Sequence, residues 1–160
     1  MMTFKEYMIE SKQGTYCGIK YAPNPEFQKW IKDNKIPNPI NPEKLHTTVI
    51  FSRNPIEKQY QMNHQIISGN NFKPMKFEVF LTSTSKKRAL VIILDAPKAV
   101  EYHNYFMNHG GTHDFADFKP HITVSYDLGD FDVKQLTLPD IIFDPVSVYT
   151  EPLDLDWNGD

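Results

Sequence analysis

A chain of 160 residues and 18.6 kDa has room for one hydrophobic core, or for one domain built from two small lobes, and two independent folds are not expected. Apolar residues at 40% and charged residues at 23% place it outside the disordered and fibrous classes. With 17 Lys and Arg against 20 Asp and Glu the net charge is −3, so a long phosphate polymer, which calls for a basic face, is not the expected partner; the 11 Phe, 8 Tyr and 2 Trp suit a small ligand with flat rings.

In chain order, residues 1–11 read as a short helix with Phe4, Tyr7 and Met8 at helical spacing, and residues 15–21 as a strand. Cys17 stands alone, so no internal disulfide can form; it reads as a small buried hydrophobe, with the cytosol as the expected compartment. Pro23 and Pro25 open a helix to about Asn34 that places Phe27, Trp30 and Ile31 on one face, with Trp30 expected in the core. Three prolines between Ile36 and Pro42 forbid a regular element and predict a shaped loop. A strand is expected over residues 45–51 and a helix over 56–68. Strands over 76–82 and 88–94 form a hairpin, and a helix runs from Pro97 to about Asn108, closed by Gly110 and Gly111. A loop over 113–119 leads to a strand over 121–127, and residues 141–155 hold one or two strands broken near Pro145 and Pro152. The sum is an α+β fold with a largely antiparallel sheet. The longest apolar run, Ala89 to Leu94, is far shorter than a membrane span, and no secretory signal opens the chain.

The informative feature is a repeat. Lys44-Leu45-His46-Thr47-Thr48-Val49 matches Lys119-Pro120-His121-Ile122-Thr123-Val124 at Lys, His, Thr and Val, 75 residues apart, close to half the chain. On a strand, residues two apart share a face, so His46 and Thr48 point one way and so do His121 and Thr123. Leu45, Thr47, Val49 and Phe51, with Ile122, Val124 and Tyr126, are expected on the opposite, core side. Related by a pseudo-twofold axis, the two halves bring two imidazoles and two hydroxyls into one cleft. That set suits a phosphodiester: one imidazole accepts a proton from the attacking hydroxyl, the other donates to the leaving oxygen, and the threonines bind the non-bridging oxygens. No metal or other cofactor is called for, since neither carboxylates nor a third imidazole stand at ligand spacing.

These paired motifs, His46-Thr47-Thr48 and His121-Ile122-Thr123, resemble those of the 2H phosphoesterase superfamily. The resemblance implies two pseudo-symmetric antiparallel β-rich lobes with flanking helices around a central cleft. Its lobes would fall at roughly residues 1–85 and 86–160 of a single domain, with strand exchange allowed between them. Within the superfamily, the small size, the few arginines and the segment from Glu151 to Trp157 resemble the anti-CBASS phosphodiesterases of tailed bacteriophages, which degrade cyclic di- and trinucleotide messengers such as cGAMP. The likeness implies His46 and His121 as the acid/base pair, Thr48 and Thr123 as phosphate binders, and Tyr16, Glu151 and Trp157 as ligand contacts. It further implies work in the cytoplasm of the infected host on a small cyclic oligonucleotide; a monomer is expected because each chain supplies both motifs, and charge and hydropathy give neither long nucleic acid nor membrane as partner. Other activities kept open are a phosphodiesterase of the same fold acting on 2′,3′-cyclic phosphate RNA ends or 2′–5′ oligoadenylates, and a protein that sequesters cyclic nucleotides without turnover. Arg53 is a further candidate ligand contact, Lys44 and Lys119 read as lysines at solvated strand entrances, and His64, His103, His109 and His113 as surface or loop residues. Residues 2–10 also resemble head-targeting peptides of phage internal proteins, with Met8-Ile9-Glu10 as the cleavage triplet.

Overall fold

A computed structural model describes residues 13–66, 71–82, 85–114 and 117–154. The expected N-terminal helix and Trp157 lie outside these residues. Among the described residues are seven strands and two α-helices: β1 Gln13–Tyr21, α1 Pro25–Asp33, β2 His46–Ser52, β3 His64–Gln65, β4 Lys73–Leu81, β5 Arg88–Asp95, α2 Pro97–Met107, β6 His121–Ser125 and β7 Pro145–Asp154. All strand pairs are antiparallel, in one sheet of order β2-β1-β7-β3 and another of order β4-β5-β6.

The two sheets are built alike. Each has a central strand, β1 or β5, that leads through a helix to the motif strand, β2 or β6, lying beside it. The third strand is β7 in one sheet and β4 in the other. Residue 85, the expected lobe boundary, therefore lies inside the β4–β5 hairpin of one sheet, while the last strand returns to the sheet of the first. Sheet membership follows strand pairing rather than halves of the sequence.

Asn24 caps α1 by accepting from the amide of Phe27 at 3.1 Å, and Pro25 occupies the first turn, where its missing N–H costs no bond. The apolar face of α1 buries Phe27 and Ile31. Trp30 stands at the margin of the core, stacked on Phe27 at 6.0 Å and on Phe77 at 5.9 Å. Phe27 also meets Phe143 edge-on at 5.0 Å, and reciprocal backbone bonds between Phe72 and Phe143 tie the start of β4 to the approach to β7. At the end of α2 the left-handed Gly110, φ 92°, lets the Gly111 amide return to the carbonyl of Phe106 at 2.8 Å. Cys17 is fully buried in the core.

Two expectations are corrected. Over its described part, residues 56–66, the helix predicted over 56–68 is instead a single 3-10 turn, Lys58–Tyr60, followed by the short strand β3. The N–H of Ile56 is taken by the Thr15 hydroxyl and that of Ile66 by the carbonyl of Val146, while the Asn63 side chain both donates to and accepts from Thr150. Pairing with the existing sheet thus captures the polar groups a helix would need. Second, Pro152 does not break the last strand: it pairs with Thr15, and β3 reaches only Ser147 and Val148, so β7 has an open edge at Pro152 that tolerates a residue without N–H.

The sheets meet along β2 and β6. Thr47, fully buried, donates its hydroxyl to the main-chain carbonyl of His121 at 2.9 Å. Having one proton, Thr47 must accept from its other partner, so the bond to Tyr21 runs from the phenol to the threonine. Ile40 donates its amide to the carbonyl of Val124, and Ser125 donates its hydroxyl to that of Pro37, which anchors the proline-rich loop on the second motif strand. Thr47→Val keeps the shape but strands the Tyr21 hydroxyl and the His121 carbonyl, so urea unfolding should show a loss of about 1–3 kcal/mol. An unchanged midpoint would deny the bond any part in joining the sheets.

Candidate active site

The two motif strands carry the same local distortion. Gly18 pairs with Thr48 and Cys17 with Ile50, so Val49 is an extra residue in β2; Val91 pairs with Thr123 and Leu90 with Ser125, so Val124 is an extra residue in β6. These β-bulges fall at equivalent positions of the repeat. Before each bulge the alternation is as expected: Leu45, Thr47, Val49, Ile122 and Val124 are buried, and His46, Thr48, His121 and Thr123 face the cleft. After it the phase slips by one residue, so Ile50 and Ser125 are buried and the next residue emerges. Phe51 and Tyr126, expected in the core, are therefore corrected: Phe51 is half-buried and Tyr126 is 41% exposed and lines the cleft.

Each histidine is held in the same way. His46 Nδ1 lies 2.7 Å from the carbonyl of Lys44, and His121 Nδ1 lies 2.8 Å from that of Lys119. A carbonyl only accepts, so in both rings Nδ1 carries the hydrogen. Nε2 of the neutral imidazole is then the basic nitrogen, able to take a proton and return it. Burial pushes the His121 imidazole below its ordinary range, a shift opposed by its bond to Lys119 and reinforced by the charge of a protonated His46. Phe80 meets the His121 ring edge-to-face at 5.6 Å.

The Tyr16 hydroxyl lies 3.0 Å from Thr48 Oγ1. Burial, then the neighbouring Tyr149, pushes its phenol far up, so it remains a proton donor. Either hydroxyl of the Tyr16–Thr48 pair can be the donor. The contact places Tyr16 behind the threonine, orienting it. Gly18 is needed for the same arrangement, because a Cβ there would stand 2.7 Å from the Tyr149 hydroxyl and 2.9 Å from that of Tyr16.

His46, Thr48, His121 and Thr123 line one chamber of about 230 Å³ with Phe80, Thr82, Ala89, Val91 and Tyr126. A second chamber of about 710 Å³ shares His46 and Tyr126 with it and is lined by Lys20, Lys44, Asn41, Glu43, Tyr149 and Glu151, among others. The four motif residues are thus brought together, and Glu151 lies in the adjoining chamber. Arg53 is not in the site: Asp114 holds its guanidinium through two bonds, at 3.0 and 2.9 Å. Lys119 pairs with Glu78 at 3.3 Å, whereas Lys44 faces the second chamber. The sequence reading missed Lys20, whose ammonium lies 4.9 Å from the centre of the Tyr149 ring, and Tyr149 itself; one-residue strand pairing with Gly18 would have been the signal, and it needs the register. Among the described residues no three His, Cys, Asp or Glu are grouped to hold a metal ion, and no helix is long and apolar enough to cross a membrane.

Two antiparallel sheets whose motif strands present paired histidines and threonines to a common cleft give the chain a 2H phosphoesterase-like fold. The fold has the same form as Escherichia coli LigT, solved with ATP, at a TM-score of 0.53 over 88% of this chain and 86% of that one, with 14% identity. The family model described as anti-CBASS protein Acb1 matches residues 13–160. Relatives described by the same name include one from Salmonella phage S16, 31% identical over 163 residues that cover 100% of this chain and 99% of the relative. Another, from Vibrio phage KVP40, is 35% identical over 148 residues, covering 91% of each. The chain belongs to the Acb1 family of anti-CBASS proteins.

Burial depresses the proton affinity of His121 and also of His103, a buried residue of α2. The unfolded chain binds these protons first, so stability is full above the ordinary histidine value of 6.5 and is lost as pH falls through the depressed native values. Imidazole NMR should give His121 a midpoint below 6.5, with urea midpoints falling over the same window. A His121 midpoint above 6.5 would contradict the burial described here.

Proposed function

We propose that the protein is a metal-independent phosphodiesterase that cleaves the 3′–5′ bonds of cyclic di- and trinucleotide messengers, so that a phage evades CBASS signalling in its host. The observation that carries this reading is the identical presentation of two Nε2 atoms, each fixed by an Nδ1–H bond to the carbonyl two residues earlier, with a threonine two residues later on the same face.

The ribose 2′-hydroxyl adjacent to the scissile bond attacks phosphorus. One Nε2 takes its proton while the other, protonated, gives one to the departing 5′-oxygen. The P–O5′ bond breaks, a P–O2′ bond forms, and the product is a linear oligonucleotide ending in a 2′,3′-cyclic phosphate, which water can open. Thr48 and Thr123 donate to the non-bridging oxygens as charge grows there. Tyr16, carrying Thr48, acts as a positioning residue, while Glu151 in the larger chamber and Trp157 remain candidates for contacts to the bases.

Chamber size supports an oligonucleotide. About 230 Å³ around the histidines accommodates the phosphodiester and little more, whereas the adjoining 710 Å³ lies within the roughly 300–1,000 Å³ usual for ligand pockets. A second nucleotide can extend past His46 and Tyr126 toward Lys20, Lys44 and Tyr149. The net charge of −3 agrees with a ligand bearing two or three phosphates rather than a polymer.

The reading is tested by incubating the protein in EDTA with cyclic di- and trinucleotides, 2′–5′ oligoadenylates and 2′,3′-cyclic mononucleotides. Cyclic oligonucleotides should be cleaved, and His46→Ala and His121→Ala should each lose about 10²–10⁴-fold in kcat. Variants matching the parent would refute the two-histidine mechanism; binding without turnover would identify a sequestering protein, and turnover of the other two substrates alone would assign one of the alternative activities. Lys20→Ala should raise KM for a cyclic dinucleotide and leave that for a 2′,3′-cyclic mononucleotide unchanged. Equal effects on both would remove the larger chamber from substrate binding.

A further inference from the structure

His103 belongs to neither motif and reads in the sequence as a surface residue, yet it is 6% exposed on the face of α2 that packs against β2. Its Nδ1 lies 2.8 Å from the carbonyl of Val49. That carbonyl belongs to the bulged residue immediately after Thr48, where the two-for-one count disrupts the ladder, and Val49 is fully buried. A carbonyl left without a donor there would cost its desolvation. The equivalent carbonyl in the other motif, that of Val124, is satisfied by the backbone amide of Ile40. One bulge is thus latched by main chain and the other by a histidine.

The face of the same ring does a second job. It stacks on Phe118 at 4.0 Å with an interplanar angle of 2°, and the His113 ring meets it at 4.7 Å with the ring planes 75° apart. Phe118 directly precedes Lys119, whose carbonyl fixes Nδ1 of His121. The ring edge therefore holds the strand of His46 and Thr48, and the ring face supports the approach to His121.

We propose that His103 is a positioning residue for the reaction, latching the first motif's bulge through its Nδ1–H and bracing the second motif through Phe118. The bulge sets the phase at which Thr48 and its neighbours leave the strand, so losing the latch misdirects Thr48 and His46 without removing either. The proposal rests on the phosphodiesterase reading for its kinetic consequence, and its structural part is tested separately.

Amide replacements discriminate by geometry. Asn places its NH₂ close to the position of imidazole Nδ1, whereas Gln, closer to His in volume, reaches toward Nε2. In the full chain, His103→Asn should keep kcat on a cyclic dinucleotide within about threefold of the parent, while His103→Gln and His103→Phe should lose at least tenfold with KM within twofold. The ¹H–¹⁵N imidazole spectrum of His46, recorded without substrate, should be parental in His103→Asn and altered in His103→Gln. Gln equal to or better than Asn in kcat, or a parental His46 spectrum in His103→Gln, would overturn the proposal. If the parent cleaves no phosphodiester, the phosphodiesterase reading fails and the spectra alone decide: a His46 signal altered by Gln but not by Asn supports the latch, and any other pattern overturns it. Should His103→Phe not fold, the Asn and Gln comparison stands without it.

Discussion

The hydroxyl of Thr47, donated to the main-chain carbonyl of His121, is the contact on which the site depends. Apolar packing holds two sheets together but is non-directional and tolerates sliding. A hydrogen bond from the strand of one motif histidine to the backbone of the other is directional, and its donor Thr47 is fully buried. Tyr21, donating to Thr47, fixes which way the threonine proton points. The bond has no mirror image, because the repeat places Ile122 where Thr47 stands in the first motif. The pseudo-symmetry of the fold is therefore broken at the contact that joins its halves.

Tyr–Thr pairs recur with different purposes. Tyr21 and Thr47 point into the core and spend the threonine proton on the partner strand, whereas Tyr16 and Thr48 pair at the cleft, which Thr48 lines. Two adjacent residues of one strand thus serve opposite faces. Ordinary alternation does this, and the bulge one residue later lets β2 keep both Val49 and Ile50 in the core and still return Phe51 toward the surface. The same device in β6 brings Tyr126 to the boundary between the two chambers.

Much of this was legible in the sequence because strand alternation is a local rule. His46, Thr48, His121 and Thr123 could be assigned to one face from their spacing, and the paired copies implied two related sheets. The bulges were not legible: an extra residue is defined by the partner strand, so Phe51 and Tyr126 were placed on the wrong side. Residues 56–68 carry helix-compatible residues, and only the free groups on Thr15, Val146 and Thr150 decide otherwise. His103 looked ordinary for a related reason, since its role comes from a carbonyl that only the bulge releases. Arg53 near the first motif suggested a phosphate contact, yet Asp114, 61 residues away, claims it.

If two imidazoles promote attack by the substrate's own 2′-hydroxyl, as proposed, the first step requires no water. The most direct measurement is a single turnover of a cyclic dinucleotide in H₂¹⁸O with EDTA, with the first-formed linear product examined by mass spectrometry. Attack by the 2′-hydroxyl gives a 2′,3′-cyclic phosphate end without solvent oxygen, and ¹⁸O only after that ring opens. A first product already carrying one ¹⁸O on phosphorus would show direct attack by water and contradict the proposal.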